Sequence, residues 1–197
     1  MRLTNVIGRV PMKRDDRRQK VESFGRAPAL LSGALRQFPK KMWLYKPSTD
    51  HWSIHEIILH LADSEASAYL HCRRFIAEPG SQVPEFDAAR WASSLGYFHQ
   101  STREALEIIR RLRKMTYQLL ATLPEHVWDR TVSHPRDGQV SLDRWVEIQE
   151  RHIPHHIDQM RENYEGWLKT HPPRRRASPS RVSGIPQRLI SMSAEGV

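Results

Sequence analysis

Apolar residues recur at three- and four-residue steps in four separate stretches, the mark of amphipathic helices. In the first, Val21, Phe24, Leu31, Leu35 and Phe38 form a stripe interrupted near Gly25 and Pro28. It predicts a helix over roughly 14–37, bent or restarted at Pro28, because proline lacks the N–H that the helix needs. Pro39 and Pro47 bound the loop that follows. Ser53-Ile54-His55-Glu56 is a capping box and opens a second helix, which Pro79-Gly80 stops after about Ala77. That helix has an apolar face of Ile54, Ile57, Ile58, Leu61, Ala68 and Phe75. Its polar stripe holds Glu56, His60, Asp63, Ser64 and Ser67. A third helix is expected over roughly 98–122, with Leu106, Ile109, Leu112, Met115, Leu119 and Leu120 inward and Pro124 beyond its end. Its Arg110, Arg111, Arg113 and Lys114 read as solvated charges. The fourth starts at Ser141 as N-cap and carries Trp145, Ile148, His152, His156 and Met160 on one stripe.

The connections differ in character. Residues 78–97 lack a long period, although Glu85 to Ala92 is compatible with a short helix. A link this long crosses a bundle or lines a site. Trp128 to Val140, with Asp137-Gly138 as the turn, predicts a small β-excursion. Four helices with one long connection make an all-α four-helix bundle with a crossover between helices two and three.

Composition changes the picture at the ends. The net charge is +9, but residues 1–20 carry seven Lys/Arg against Asp15 and Asp16, and residues 169–197 carry six against Glu195. The middle is therefore near neutral, which argues against a basic groove specific for nucleic acid. Residues 1–13 are expected to be a flexible leader, 14–168 the bundle, and 169–197 a disordered basic tail rich in Pro, Ser and Arg. No apolar run is long enough to span a membrane, and the basic N-terminus lacks the apolar core of a signal peptide. The single cysteine, Cys72, fits a reducing cytosol and reads as a small packing residue. A cytoplasmic protein is expected.

The chemistry concentrates in Glu150-Arg151-His152-Ile153-Pro154-His155-His156, which holds three of the eleven histidines. His152 and His156 are four apart, so a helix places both on one face about 6 Å apart along its axis. Two neutral imidazoles at that spacing suit one metal ion; the alternative is a solvated polar face. His155 lies about 100° around from His156 and should point elsewhere. Pro154 is the weak point: a helix restarted there would swing His152 away. His60, between Leu59 and Leu61, reads by itself as a core-edge histidine bonded to a neighbour.

His60-Leu-Ala-Asp-Ser-Glu65, after Trp52-Ser53, resembles the first metal motif of the DinB/YfiT-like proteins, and His152-Ile-Pro-His-His156 resembles their second. Phe86 to Ala92 and the His134-Pro135, Gly138, Ser141-Leu142 approach to the last helix are also similar. The resemblance covers about residues 20–167. It implies an up-down-down-up bundle with a divalent metal, zinc or nickel foremost, held by His60, His152 and His156. It further implies a small-molecule enzyme. The family includes S-transferases that use bacillithiol or mycothiol, proteins named as metal hydrolases, and many of unknown activity.

Three imidazoles leave a position open on the ion, as catalytic sites do. Asp63 and Ser64 follow His60 by three and four residues and are the candidate catalytic groups, to orient an imidazole or hold a proton in transit. The alternative for them is a solvated pair at a cavity mouth. Three activities follow: transfer of a low-molecular-weight thiol to an electrophile, hydrolysis by metal-bound hydroxide, or metal or ligand binding without catalysis. The thiol reaction leads slightly, because no clear general base stands beyond Asp63 and a metal-bound thiol needs less help from one. The expected partners are a small-molecule substrate and, at most, a second copy of the chain in a homodimer, with no membrane.

Overall fold

The four stripes become four long helices. In the computed structural model, which describes residues 12–172, these are α1 (Arg14–Leu35), α2 (Ile54–Ala77), α4 (Thr102–Leu120) and α5 (Leu142–Thr170). A short helix, α3 (Ala88–Ser94), lies in the link between α2 and α4. An antiparallel ribbon of β1 (Thr131–His134) and β2 (Gly138–Ser141) precedes α5. The expected leader falls outside the described residues except for its last two, as does the expected tail after residue 172.

Cross-bundle contacts fix the helix directions. Arg17 bonds Asp143, Ser23 bonds Glu150 and the Phe38 ring meets Tyr164, so α1 and α5 run parallel. Asn163 donates to the Trp52 carbonyl while His60 meets His152, so α5 runs against α2. His55 pairs with the Tyr97 carbonyl and Glu65 with Arg113, so α2 and α4 run parallel. The order is up-down-down-up, as expected.

Three of the four long helices, α2, α4 and α5, start where a polar cap meets the first orphan N–H groups. Ser53 accepts from the Glu56 N–H at 3.2 Å while the Ser53 N–H donates to Glu56 Oε2 at 2.8 Å. Ser101 caps α4 and Ser141 caps α5 by accepting from the N–H groups of Glu104 and Arg144, without the return bond. Two apolar clusters fill the bundle, one around Leu31, Ile54, Ile58 and Met160, the other around Phe24, Phe75, Leu120 and Trp145.

Neither interior proline restarts its helix: α1 runs through Pro28 and α5 through Pro154. An interior proline costs about 3 kcal/mol, whereas fully burying one large apolar side chain contributes about 1.5–3 kcal/mol. Phe24 and Leu31 flank Pro28, Ile153 and Ile157 flank Pro154, and all four are buried. Two such neighbours offset one proline, so packing holds the helix past the break.

Three further expectations are corrected. Arg113 is not solvated; it is completely buried, with its Nε donating to Glu65 Oε2 at 2.9 Å and a second bond to Glu65 Oε1. Its guanidinium also lies 3.9 Å from the Phe24 ring centroid. Met115 on α4 and Ile148 on α5 are exposed, although both sit on apolar stripes. Ile148 borders a cavity rather than a packed neighbour.

The ribbon matters for the site because it anchors the long link. The Val83 N–H donates to the Ser133 carbonyl at 3.0 Å and the Ser133 N–H to the Ser81 carbonyl at 2.9 Å. Three residues beyond Val83, Phe86 lies over the face shared by α2 and α5.

Candidate metal centre

The capping box sets the register of α2, and His60 follows two turns later on the side that faces α5. On α5 the unbroken helix carries His152 and His156 one turn apart. The three rings meet edge to face, with centroids 4.7–5.4 Å apart. His152 Nε2 lies 3.4 Å from His60 Nε2 and 3.2 Å from His156 Nε2. All three ligand atoms fall within 4.8 Å of one another. Two nitrogens bound tetrahedrally at the zinc distance stand about 3.4 Å apart, so the spacing suits one ion.

The electrostatics agree. Burial, followed by the neighbouring histidines, pushes the His60 pKa down to about 3 and the His152 pKa down to about 2. Burial lowers His156 to about 4. All three are neutral imidazoles near pH 7, the form in which a ring nitrogen has a lone pair to give. His156 Nδ1 bonds Gln159 Oε1 at 2.8 Å, which makes Nδ1 the protonated nitrogen and leaves the Nε2 lone pair facing the centre. Gln159 Nε2 in turn donates to His155 Nε2 at 3.1 Å. His155 is exposed and turned off the stripe, as its register requires. The Nδ1 atoms of His60 and His152 are buried without a partner.

Aromatic rings wall the cluster. The Trp52 ring lies 4.8 Å and the Phe86 ring 5.8 Å from that of His60. A cavity of about 490 Å³, lined by Trp52, His60, His156, Gln159, Asn163 and Glu162 among others, opens from the cluster. Asp63 and Ser64 are not in its lining. Asp63 Oδ2 accepts from the Tyr97 hydroxyl at 2.5 Å, and Ser64 faces a second cavity. Cys72 is buried, and burial pushes its thiol up to about 12, so it is a packing residue.

Sequence reasoning missed three residues here. Gln159, three positions after His156, belongs to no motif. Glu65 stood in the first motif, but its partner Arg113 lies in what reads as a charged surface run. Asn163 fastens α5 to the start of α2 through the Trp52 carbonyl at 2.7 Å.

Fold and cluster together define a class: helical bundles with an open three-histidine centre between antiparallel helices. The model of the DinB superfamily matches residues 23–160, and the chain belongs to that family. A relative from Oceanobacillus iheyensis, named as a candidate metal-dependent hydrolase, is 30% identical over 106 residues. That match takes in 54% of this chain and 61% of the relative's length. A Bacillus licheniformis protein similarly named is 22% identical over 80% of this chain and 92% of its own. Among solved structures, Bacillus subtilis YfiT, described as a probable metal-dependent hydrolase with an unusual four-helix bundle topology, superposes with a TM-score of 0.73 at 19% identity. The superposition covers 80% of this chain and 90% of YfiT. No helix among the described residues is long and apolar enough to cross a membrane.

Proposed function

We propose that His60, His152 and His156 hold one divalent ion, zinc or nickel, and that the chain is a metal-dependent enzyme acting on small molecules. The convergence of three neutral Nε2 atoms from two helices carries this reading. When bound, such an ion supplies Lewis acidity, lowering the pKa of a ligated thiol or water. The protein's own groups do the rest. Gln159 orients His156. Trp52 and Phe86 shield the rings from water. The cavity beside them is of the size that takes a small molecule.

Transfer of a low-molecular-weight thiol to an electrophile is the reaction the geometry favours. A water nucleophile asks more of a base than a metal-held thiolate does, and Asp63, the carboxylate one turn from His60, is engaged by the Tyr97 hydroxyl and absent from the cavity lining. Asp63 then acts by holding Tyr97, and Ser64 by contacting a reactant in the second cavity. Hydrolysis is the second reading. The names of the relatives favour it, and Asp50 and Glu162 in the cavity lining offer carboxylates to take a proton.

Metal-loaded protein should be offered a small thiol with a chlorinated aromatic and, separately, an ester panel without thiol. Thioether formation that stops with His156→Ala is expected. Ester cleavage alone would favour the second reading. Turnover of neither would leave a metal-binding bundle without catalysis.

A further inference from the structure

The face between α2 and α5 holds two cavities, one on either side of the three histidines. The first lies toward Trp52 and Asn163. The second, about 390 Å³, lies toward the β-ribbon. Its lining follows the two helices away from the cluster. On α2, Ser64 is one turn beyond His60, followed by Ser67 and His71; on α5, Gln149 is three residues before His152, preceded by Trp145. Phe86 lines this cavity and stands beside the His60 ring, so it is the partition between the cavity and the cluster.

We infer that the second cavity binds an uncharged small molecule carrying both a hydrogen-bond donor and an acceptor, an amide being the simplest case. Three buried polar atoms on its lining residues have no partner in the protein: His71 Nε2, Gln149 Oε1 and Trp145 Nε1. Buried polar groups are ordinarily satisfied, and three gathered around one cavity point to a ligand that supplies what the protein omits. Together they present a donor in the indole N–H, an acceptor in the amide oxygen, and a ring nitrogen that can be either.

The charged side chains of the lining are not buried: Arg136 and Asp137 are exposed and the Glu85 side chain is partly so. Arg136 pairs with Glu85, and His134 Nδ1 lies 3.0 Å from Asp137. A charged ligand would meet no buried counter-ion there and would have to be desolvated at a loss. The remaining wall, including Phe75, Val83 and Val132, is apolar and matches an aromatic or aliphatic body. The role of this cavity as the seat of a second reactant, opposite the first across the histidines, rests on the metal-centred reading above. Ligand binding there does not.

The test uses the full chain, once metal-free and once zinc-loaded, so that failure of the metal reading leaves it intact. Benzamide is titrated and the Trp145 indole N–H resonance followed by NMR, with benzoate and benzylamine as charged counterparts. Benzamide should shift that resonance in both preparations, and the charged probes should bind at least about fivefold more weakly. Gln149→Leu and Ser67→Phe should each weaken benzamide by about fivefold or more while zinc affinity holds within about twofold. The inference is overturned if benzamide shifts nothing, shifts only residues around Trp52 and Asn163, or is matched by benzoate. It is equally overturned if a correctly folded Gln149→Leu binds benzamide as the parent does.

Discussion

His155 and His156 are adjacent, yet the helix gives them opposite tasks. His156 turns its Nε2 to the cluster and is fixed through Nδ1 by Gln159, whereas His155 is exposed. This division was legible from the four-residue spacing alone, because helical geometry sends the intervening residue elsewhere. Gln159 was not legible, since an amide that positions a ring leaves no pattern. Calorimetric zinc titration should find His155→Ala within about twofold of the parent and Gln159→Leu weaker by about 10–100-fold. Equal losses for His155→Ala and His156→Ala would show the register to be wrong. Arg113 was misread for a related reason: its run of basic neighbours is a solvated face, and the partner that draws it inward lies on another helix. Arg113→Met leaves the Glu65 carboxylate buried and unpaired, a loss of about 3–5 kcal/mol. Urea unfolding should show the Arg113→Met/Glu65→Leu double variant to be more stable than Arg113→Met alone.

Helix existence and order were readable because each element repeats its apolar positions over many turns. The prolines were not, because continuity through Pro28 and Pro154 is decided by neighbours that only the packed bundle brings together. Ile148 shows the converse: the period places it inward, but the space beside it is a cavity, so it stays exposed. Spacing between helices is set as locally. A Cβ on Gly25 would meet ring carbons of Tyr117 on α4 at 2.6–3.0 Å. Gly25→Ala should therefore force α1 and α4 apart and cost about 1–3 kcal/mol by chemical denaturation. Gly33 on the same helix has only the Arg36 guanidinium near, at 3.7 Å. Gly33→Ala should be neutral or stabilising by up to about 1 kcal/mol. The opposite order for the two would contradict the close approach of α1 and α4.

For the whole molecule, the up-down-down-up order makes α2 and α5 antiparallel neighbours, and that adjacency brings His60 to two histidines roughly ninety residues later in the chain. Neither motif makes the site alone. Family resemblance anticipated the meeting and the spacing anticipated neutral imidazoles; the aromatic walls, the Gln159 contact and the two flanking cavities came only with the structure. The central claim is that one ion is held by these three side chains. Its most direct measurement is the metal content of chelator-stripped full-length protein after reloading with zinc and desalting, beside the His60→Ala, His152→Ala and His156→Ala variants. The three-histidine centre predicts one zinc per chain in the parent and a steep loss in every variant, with helical circular dichroism retained. Parent-like zinc content in a folded variant, or no retained zinc in the parent, would contradict it.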